Sequence, residues 1–152
     1  MKVLMVCLGN ICRSPMAEGI LRSKTNGLDI EVDSAGTSAY HLGENPDSRA
    51  VLAARKHQVN IAPLVGRQFQ VEDFDAFDVI YAMDKSNQKN ILELARTTED
   101  EAKVKLIVNE VFPNSDGEVP DPYFGGSSGF EEVYNLLDKA TDKIIENFVN
   151  GR

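Results

Sequence analysis

The sequence predicts an α/β fold: a single three-layer domain with a four-stranded parallel sheet and helices on both faces. Three observations support this. Short runs rich in Val, Ile and aromatic residues alternate with longer segments whose apolar residues recur at helical spacing. Strands that alternate with helices build parallel sheets covered on both sides. The length of 152 residues fits one domain, residues 1–152, with a full hydrophobic core.

The elements follow in order. Residues 3–6 read as a short buried strand. Ser14 can cap the next helix with Pro15 at its first position, where a missing N–H costs nothing. Met16, Ala17, Ile20 and Leu21 supply its apolar face. Asn26-Gly27 breaks the chain, and Leu28, Ile30 and Val32 alternate with polar residues as in a strand near a sheet edge. Asp47 caps a helix over about residues 48–57. Residues 77–83 form a third strand, and Asp84 starts a helix carrying Ile91, Leu92 and Leu94. Residues 104–108 form a fourth strand and 113–128 a long loop rich in Gly, Pro and Asp. A last helix over about 130–149 carries the stripe Phe130, Val133, Leu137, Ala140, Ile144 and Phe148.

Composition narrows the function. Lys+Arg number 16 against 24 Asp+Glu, a net charge of -8, which argues against nucleic acid or an anionic membrane as partner. Two cysteines are too few for a disulfide framework, so the expected compartment is reducing, the cytoplasm, with at least one thiol kept for chemistry. The apolar run 3–8 is too short for a secretory h-region, and Gly9-Asn10 interrupts it. No stretch approaches a transmembrane span.

Residues 7–14 read Cys-Leu-Gly-Asn-Ile-Cys-Arg-Ser and leave the carboxyl end of the first strand. Open α/β sheets bind ligands at such strand ends, where strand order reverses. A Cys with an Arg six residues on arises by chance roughly one time in ten in a chain with two cysteines. The context raises its weight: a strand before, Gly9 within, then Ser14, Pro15 and a helix. Gly9 lets the backbone approach a ligand. Inward N–H groups form an anion nest to which the helix adds its positive end. With Arg13 beside it, this field favours the Cys7 thiolate, and Ser14 can donate to the same sulfur. A Walker-type loop is excluded, since no Gly-Lys-Ser/Thr follows.

In residues 7–14, in Val32-Asp33-Ser34-Ala35-Gly36-Thr37 and in Asp121-Pro122-Tyr123 with Phe124, Gly125 and Gly126, the chain resembles the low-molecular-weight protein tyrosine phosphatases. The resemblance runs over nearly the whole chain, with three separated matches in order. It implies that Cys7 is the nucleophile, Arg13 clamps the phosphate and Asp121 is the general acid, while Asn10, Ser14 and Ser34 brace the loop. It also implies that Cys7 and Cys12 can pair on oxidation. The expected partners are phosphotyrosine proteins, with no cofactor and no metal, and the expected state is a monomer.

Asp121 has an independent reading. Ester hydrolysis through a thiol needs a proton for the leaving oxygen and later a base for water, and one carboxyl can serve both steps. Pro120 and Pro122 stiffen its segment; taken alone, Pro-Asp-Pro also reads as a turn. Gly9, Leu8, Ile11 and Cys12 on the phosphate loop, Tyr123 and Phe124 after the acid, and Tyr40 after the second strand are the expected pocket residues. Apolar and aromatic walls hold a phenyl ring, and a deep slot disfavours the shorter phosphoserine.

A related branch removes phosphate from arginine and tends to carry threonine where this chain has Ile11, so Ile11 favours phosphotyrosine. Two departures from the family stand out. Many members brace the loop asparagine with a histidine from the stretch that here reads Ile61-Ala62-Pro63-Leu64-Val65, so Asn10 needs another partner. Animal members often carry tryptophan at the position of Tyr40.

Other groups read as structural. His41 and His57 lack zinc-ligand spacing with the cysteines, and His57 suits a helix end. Glu99 to Glu101 reads as solvated surface, and Asp73, Asp75 and Asp78 as helix and turn acids. Two alternatives remain: a thiol-linked arsenate reductase, for which only Cys12 is available as a relay thiol, and a phosphate-binding module, which would need neither Cys7 nor Asp121.

Overall fold

In the computed structural model, which describes residues 1–151, four parallel strands lie in the order β2-β1-β3-β4. They are β1 (Lys2–Cys7), β2 (Glu31–Gly36), β3 (Val79–Ala82) and β4 (Val104–Leu106). Six helices connect and follow them: α1 (Arg13–Ser23), α2 (Ser48–Lys56), α3 (Asp73–Ala76), α4 (Lys85–Leu92), α5 (Thr98–Lys103) and α6 (Ser127–Val149). The chain leaves β1 towards β2 on one side and then crosses to β3 on the other. The carboxyl end of β1 is therefore a point where strand order reverses.

Both faces of the sheet are apolar because β1 alternates within a continuous hydrophobic run. Val3, Met5 and Cys7 join one core cluster with Met16, Ile20 and Leu21 of α1, Ala50 and Ala54 of α2, and Phe130, Leu137 and Ile144 of α6. Leu4 and Val6 face the other way, against Phe74 of α3, Ile91 of α4 and Phe69. Such continuous runs are what a strand buried on both faces requires. The stripe foreseen on α6 is buried from Phe130 to Ile144, and Phe148 packs against its edge.

Asp47 and Asp84 cap their helices as expected, accepting from the N–H of Arg49 and of Asn87. Ser14 does not cap. Helix α1 begins at Arg13, Cys12 holds the cap position without a side-chain bond, and the Ser14 hydroxyl is turned to the Cys7 sulfur. Pro15 falls third in the helix, still among the N–H groups that lack an intrahelical acceptor.

The second strand is displaced from the apolar alternation. It begins at Glu31, so Leu28 and Ile30 precede it, and it continues through Asp33, Ser34, Ala35 and Gly36. Parallel pairing with β1, Met5 opposite Ser34 and Cys7 opposite Gly36, overrides their weak strand preference. It is an edge strand, but its end is covered by residues 67–69: Gly36 donates to the Arg67 carbonyl and accepts from the Phe69 N–H. The third strand is shorter than residues 77–83, and the fourth ends at Leu106, where Ile107 and Val108 enter a 3-10 turn. Leu94 lies beyond α4 and is exposed.

Helices α3 and α5 are short and polar, so apolar spacing does not predict them, although Asp73 and Asp75 of α3 read as helix or turn acids. Both are organised by arginines. Arg67 pairs with Asp73 and Asp33. Arg96 pairs with Asp75 and with Asp100, which is buried rather than part of a solvated surface. No helix of the described residues is long and apolar enough to cross a membrane.

Hydrogen bonds from Arg96 hold the carboxyls of Asp75 and Asp100 below the usual carboxylate range. A carboxyl depressed in the folded state contributes stability above its unfolded pKa and loses it as pH falls through the folded value. Arg96→Met is therefore expected to lower Tm at pH 7, with the gap to the parent narrowing as pH falls below about 3.8. Thermal melts from pH 7 to pH 2.5 check this; a gap independent of pH would assign Arg96 a packing role only.

Candidate active site

Cys7 is the last residue of β1, and the loop 8–12 curls from it into α1. Four carbonyls of this turn are directed outward. Thr37 N–H donates to the Cys7 carbonyl at 2.9 Å, Ser38 to Leu8 at 2.9 Å, Asp47 to Ile11 at 2.8 Å and Met16 to Cys12 at 3.2 Å. With the carbonyls engaged outside, the Gly9, Ile11 and Cys12 N–H groups are left without an acceptor among the described residues. Such a concave row of donors binds an anion.

The Cys7 sulfur receives the Asn10 N–H at 3.3 Å and lies 3.0 Å from the Ser14 hydroxyl. Asn10 has φ of 58°, the left-handed conformation that asparagine tolerates better than most residues. Its Nδ2 donates to Ser14 at 2.8 Å and to Ser34 at 3.0 Å, and Ser34 donates to the buried Glu18 carboxylate at 2.6 Å. The Ser14 oxygen accepts from Asn10, and its hydroxyl has two acceptors within reach, the Cys7 sulfur at 3.0 Å and the Ala35 carbonyl at 3.5 Å. The missing histidine is replaced by backbone: the Arg67 N–H donates to Asn10 Oδ1 at 3.0 Å. This bond exists because residues 67–69 pair with the end of β2.

Arg13 is buried, with Nη1 bonded to Asp84 at 2.7 Å and to the Val119 carbonyl at 3.0 Å. Its Nη2 lies 3.6 Å from Asp121. Burial disfavours the charge, but Cys7, Asp84 and Asp121 outweigh it, leaving the guanidinium more firmly protonated than an ordinary arginine. Asp121 stands across the loop, half exposed, with its other oxygen accepting from the Tyr123 N–H at 3.1 Å. Burial pushes the Cys12 thiol well up, with Asp47 and Cys7 adding to the effect, so it stays protonated beside the loop. Both cysteines are free.

A cleft of about 120 Å³ opens over the loop, lined by Leu8, Gly9, Ile11, Cys12, Arg13, Asp121, Tyr123 and Phe124 with Cys7. Tyr40, expected as a wall, is not among its lining and is 84% exposed. His41 takes that place. The turn after β2 is tied down by Gly43 N–H to Gly66 and Gly66 N–H to Glu44, and Glu44 holds His41 Nδ1 at 3.0 Å. The imidazole then lies against Gly9, where a Cβ would meet His41 Cδ2 at 2.9 Å.

The sequence reading missed Asp84, Glu18, Arg67 and His41. Asp84 was legible only as a helix start, yet one oxygen caps α4 while the other holds Arg13. Its place just past the carboxyl end of β3 was the available signal.

Residues 2–150 match the family model described as low molecular weight phosphotyrosine protein phosphatase. The chain is 41% identical over 141 residues to the low molecular weight phosphotyrosine protein phosphatase of Schizosaccharomyces pombe, covering 90% of this chain and 89% of the relative. Its fold matches the crystal structure of a protein tyrosine phosphatase from Entamoeba histolytica with a TM-score of 0.92 and 35% identity, over 99% of this chain and 98% of the other. It also matches a Drosophila arginine phosphatase with a TM-score of 0.89 and 34% identity, over 97% and 98% of the two chains. With a match that leaves out only the first residue and the last two, and relatives aligned along nearly their full length, this chain belongs to the low molecular weight protein tyrosine phosphatase family.

Proposed function

We propose that this chain, as one catalytic domain acting without a cofactor, hydrolyses phosphotyrosine on protein substrates through a phosphocysteine at Cys7. The observation that carries the reading is a sulfur that accepts the Asn10 N–H at 3.3 Å and lies 3.0 Å from the Ser14 hydroxyl, in a loop with free N–H groups whose arginine is already buried and oriented. The thiolate attacks phosphorus in line, forming an S–P bond as the P–O bond to the tyrosine ring breaks. The Asp121 carboxyl gives its proton to the departing phenolic oxygen. Water then attacks phosphorus, Asp121 takes its proton, and the S–P bond breaks to release phosphate and restore the thiolate. Loop N–H groups and the Arg13 fork face the equatorial oxygens, where charge concentrates in the transition state. Asp84 and Val119 fix the fork beforehand, so little reorganisation is needed when substrate enters.

Substrate choice rests on the walls. The fold alone does not separate phosphotyrosine from phosphoarginine, since an arginine phosphatase shares it. Ile11, buried and lining the cleft, and Tyr123 with Phe124, their rings edge to face at 5.0 Å, present apolar surface to a phenyl ring. The setting proposed is a soluble, cytoplasmic monomer meeting phosphotyrosine proteins.

Purified protein assayed with EDTA against phosphotyrosine, phosphoserine and phosphoarginine peptides is expected to turn over the first far faster than the others. Preference for phosphoarginine would overturn the specificity reading. Cys7→Ser is expected to abolish turnover while inorganic phosphate or vanadate still binds, read by calorimetry; normal turnover would remove the nucleophile. Asp121→Asn is expected to cut kcat on phosphotyrosine by about 10²–10⁴-fold, the usual worth of a positioned general acid. It should cost much less on p-nitrophenyl phosphate, whose leaving oxygen needs little protonation. Equal losses on the two substrates would move the acid role to another residue.

A further inference from the structure

We propose that Arg49, on the first turn of α2, is the positioning residue that holds the acid-bearing segment, and with it the Asp121 carboxyl, over the Cys7 loop. The proposal rests on the reading of Asp121 as general acid. Arg49 Nη1 donates to the Gly125 carbonyl at 3.1 Å and Nη2 to the Tyr123 carbonyl at 2.9 Å. Its guanidinium also lies over the Tyr123 ring, 5.6 Å from the centroid, and over the Phe130 ring at 4.7 Å. The same fork is anchored below: Nε and Nη2 each reach Asp47 at 3.0 Å. Asp47 in turn donates its N–H to the Ile11 carbonyl at 2.8 Å. A continuous path of bonds therefore runs from the phosphate loop through Asp47 and Arg49 to the segment carrying the acid.

This path matters because the segment has few other ties. Among the described residues, residues 120–125 make no hydrogen bond to the rest of the protein except the two from Arg49. Asp121 meets Arg13 at 3.6 Å, and its other partner, the Tyr123 N–H, belongs to the segment itself. Pro122 is buried, but apolar burial is non-directional, and Phe124 is 92% exposed. Gly125 and Gly126 offer no side chain to pack. Arg49 alone supplies directional bonds, and the Arg fork is needed to serve two carbonyls and a carboxylate together. Its hold on Asp47 also keeps that carboxyl below its ordinary range, so the anchor stays ionised.

Misplacing a catalytic group by about 1 Å can cost on the order of 10²-fold. Arg49→Lys and Arg49→Met are each assayed on a phosphotyrosine peptide and on p-nitrophenyl phosphate. In both variants kcat on the peptide is expected to fall about 10-fold or more, within the worth of the acid, and on the activated ester by less than about 3-fold. The inhibition constant of inorganic phosphate should not change, since the phosphate loop is intact. The ratio of the two rates on one sample cancels any loss of folded protein. In the Asp121→Asn background, Arg49→Met should add no further loss on the peptide, because a clamp is idle once its acid is gone. An unchanged ratio in the Arg49 variants, equal losses on both substrates, or additivity with Asp121→Asn would overturn the clamp. Wild-type behaviour of Arg49→Lys would overturn the need for the fork. If Asp121→Asn alone lacks the leaving-group dependence, the acid reading fails and the clamp falls with it. If that dependence is present and the Arg49 variants lack it, only the clamp fails.

Discussion

The site depends on where four backbone carbonyls go. A short loop that curls around an anion must turn its N–H groups inward, and that is possible only if the opposite carbonyls are satisfied outside. Unpaired, each would cost about 1–3 kcal/mol. Here the turn after β2 takes Cys7 and Leu8, the cap of α2 takes Ile11, and α1 itself takes Cys12. The strand order makes this feasible, because β1 has neighbours on both sides and its carboxyl end is surrounded by the segments that follow them. The fold thus acts on the chemistry mainly by supplying donors to the back of a loop.

A second requirement is electrical. Arg13 is almost wholly buried, and an unpaired buried guanidinium would be prohibitive. Asp84 and the Val119 carbonyl carry it, while Asp121 stays at 3.6 Å, close enough to feel the charge yet half exposed and without a direct bond to it. That division suits two different tasks. One carboxylate is committed to holding the cation, and the other stands over the loop with its side chain open to solvent. The same economy appears at Asp84, whose second oxygen caps α4, and at Glu18, which anchors the Ser34–Asn10–Ser14 chain behind the sulfur while pairing with Arg22.

The cleft combines a rigid floor with looser walls. Cys7, Ile11, Cys12 and Arg13 are all buried and belong to, or pack on, the core. Tyr123 and Phe124 stand on a glycine-bearing segment, exposed, and His41 on a turn held by its own hydrogen bonds. In the proposed reaction the buried floor would hold the phosphoryl group and the exposed walls would meet the rest of the substrate, a common division in binding sites carried by loops.

Much of this was legible from residue order alone, because local physics is written locally. The apolar spacing of Met16, Ala17, Ile20 and Leu21 is that of a buried helix face, and all four are fully buried. Asp47 and Asp84 announced helix starts through the short side chain that reaches back to a backbone N–H. Cys7, Gly9, Asn10, Arg13 and Ser14 lie within eight residues, so their grouping needs only one turn of chain. What the sequence could not show are the partners drawn from afar. Arg13 meets Asp84 across 71 residues and Val119 across 106, and Asn10 meets the Arg67 N–H across 57. Residues 33–36 are poor strand formers that become strand only by pairing with β1, and Tyr40 is left exposed while its neighbour His41 lines the cleft. Those choices are made by tertiary structure, because the free energy that decides them lies in contacts between segments and leaves no local pattern in the chain.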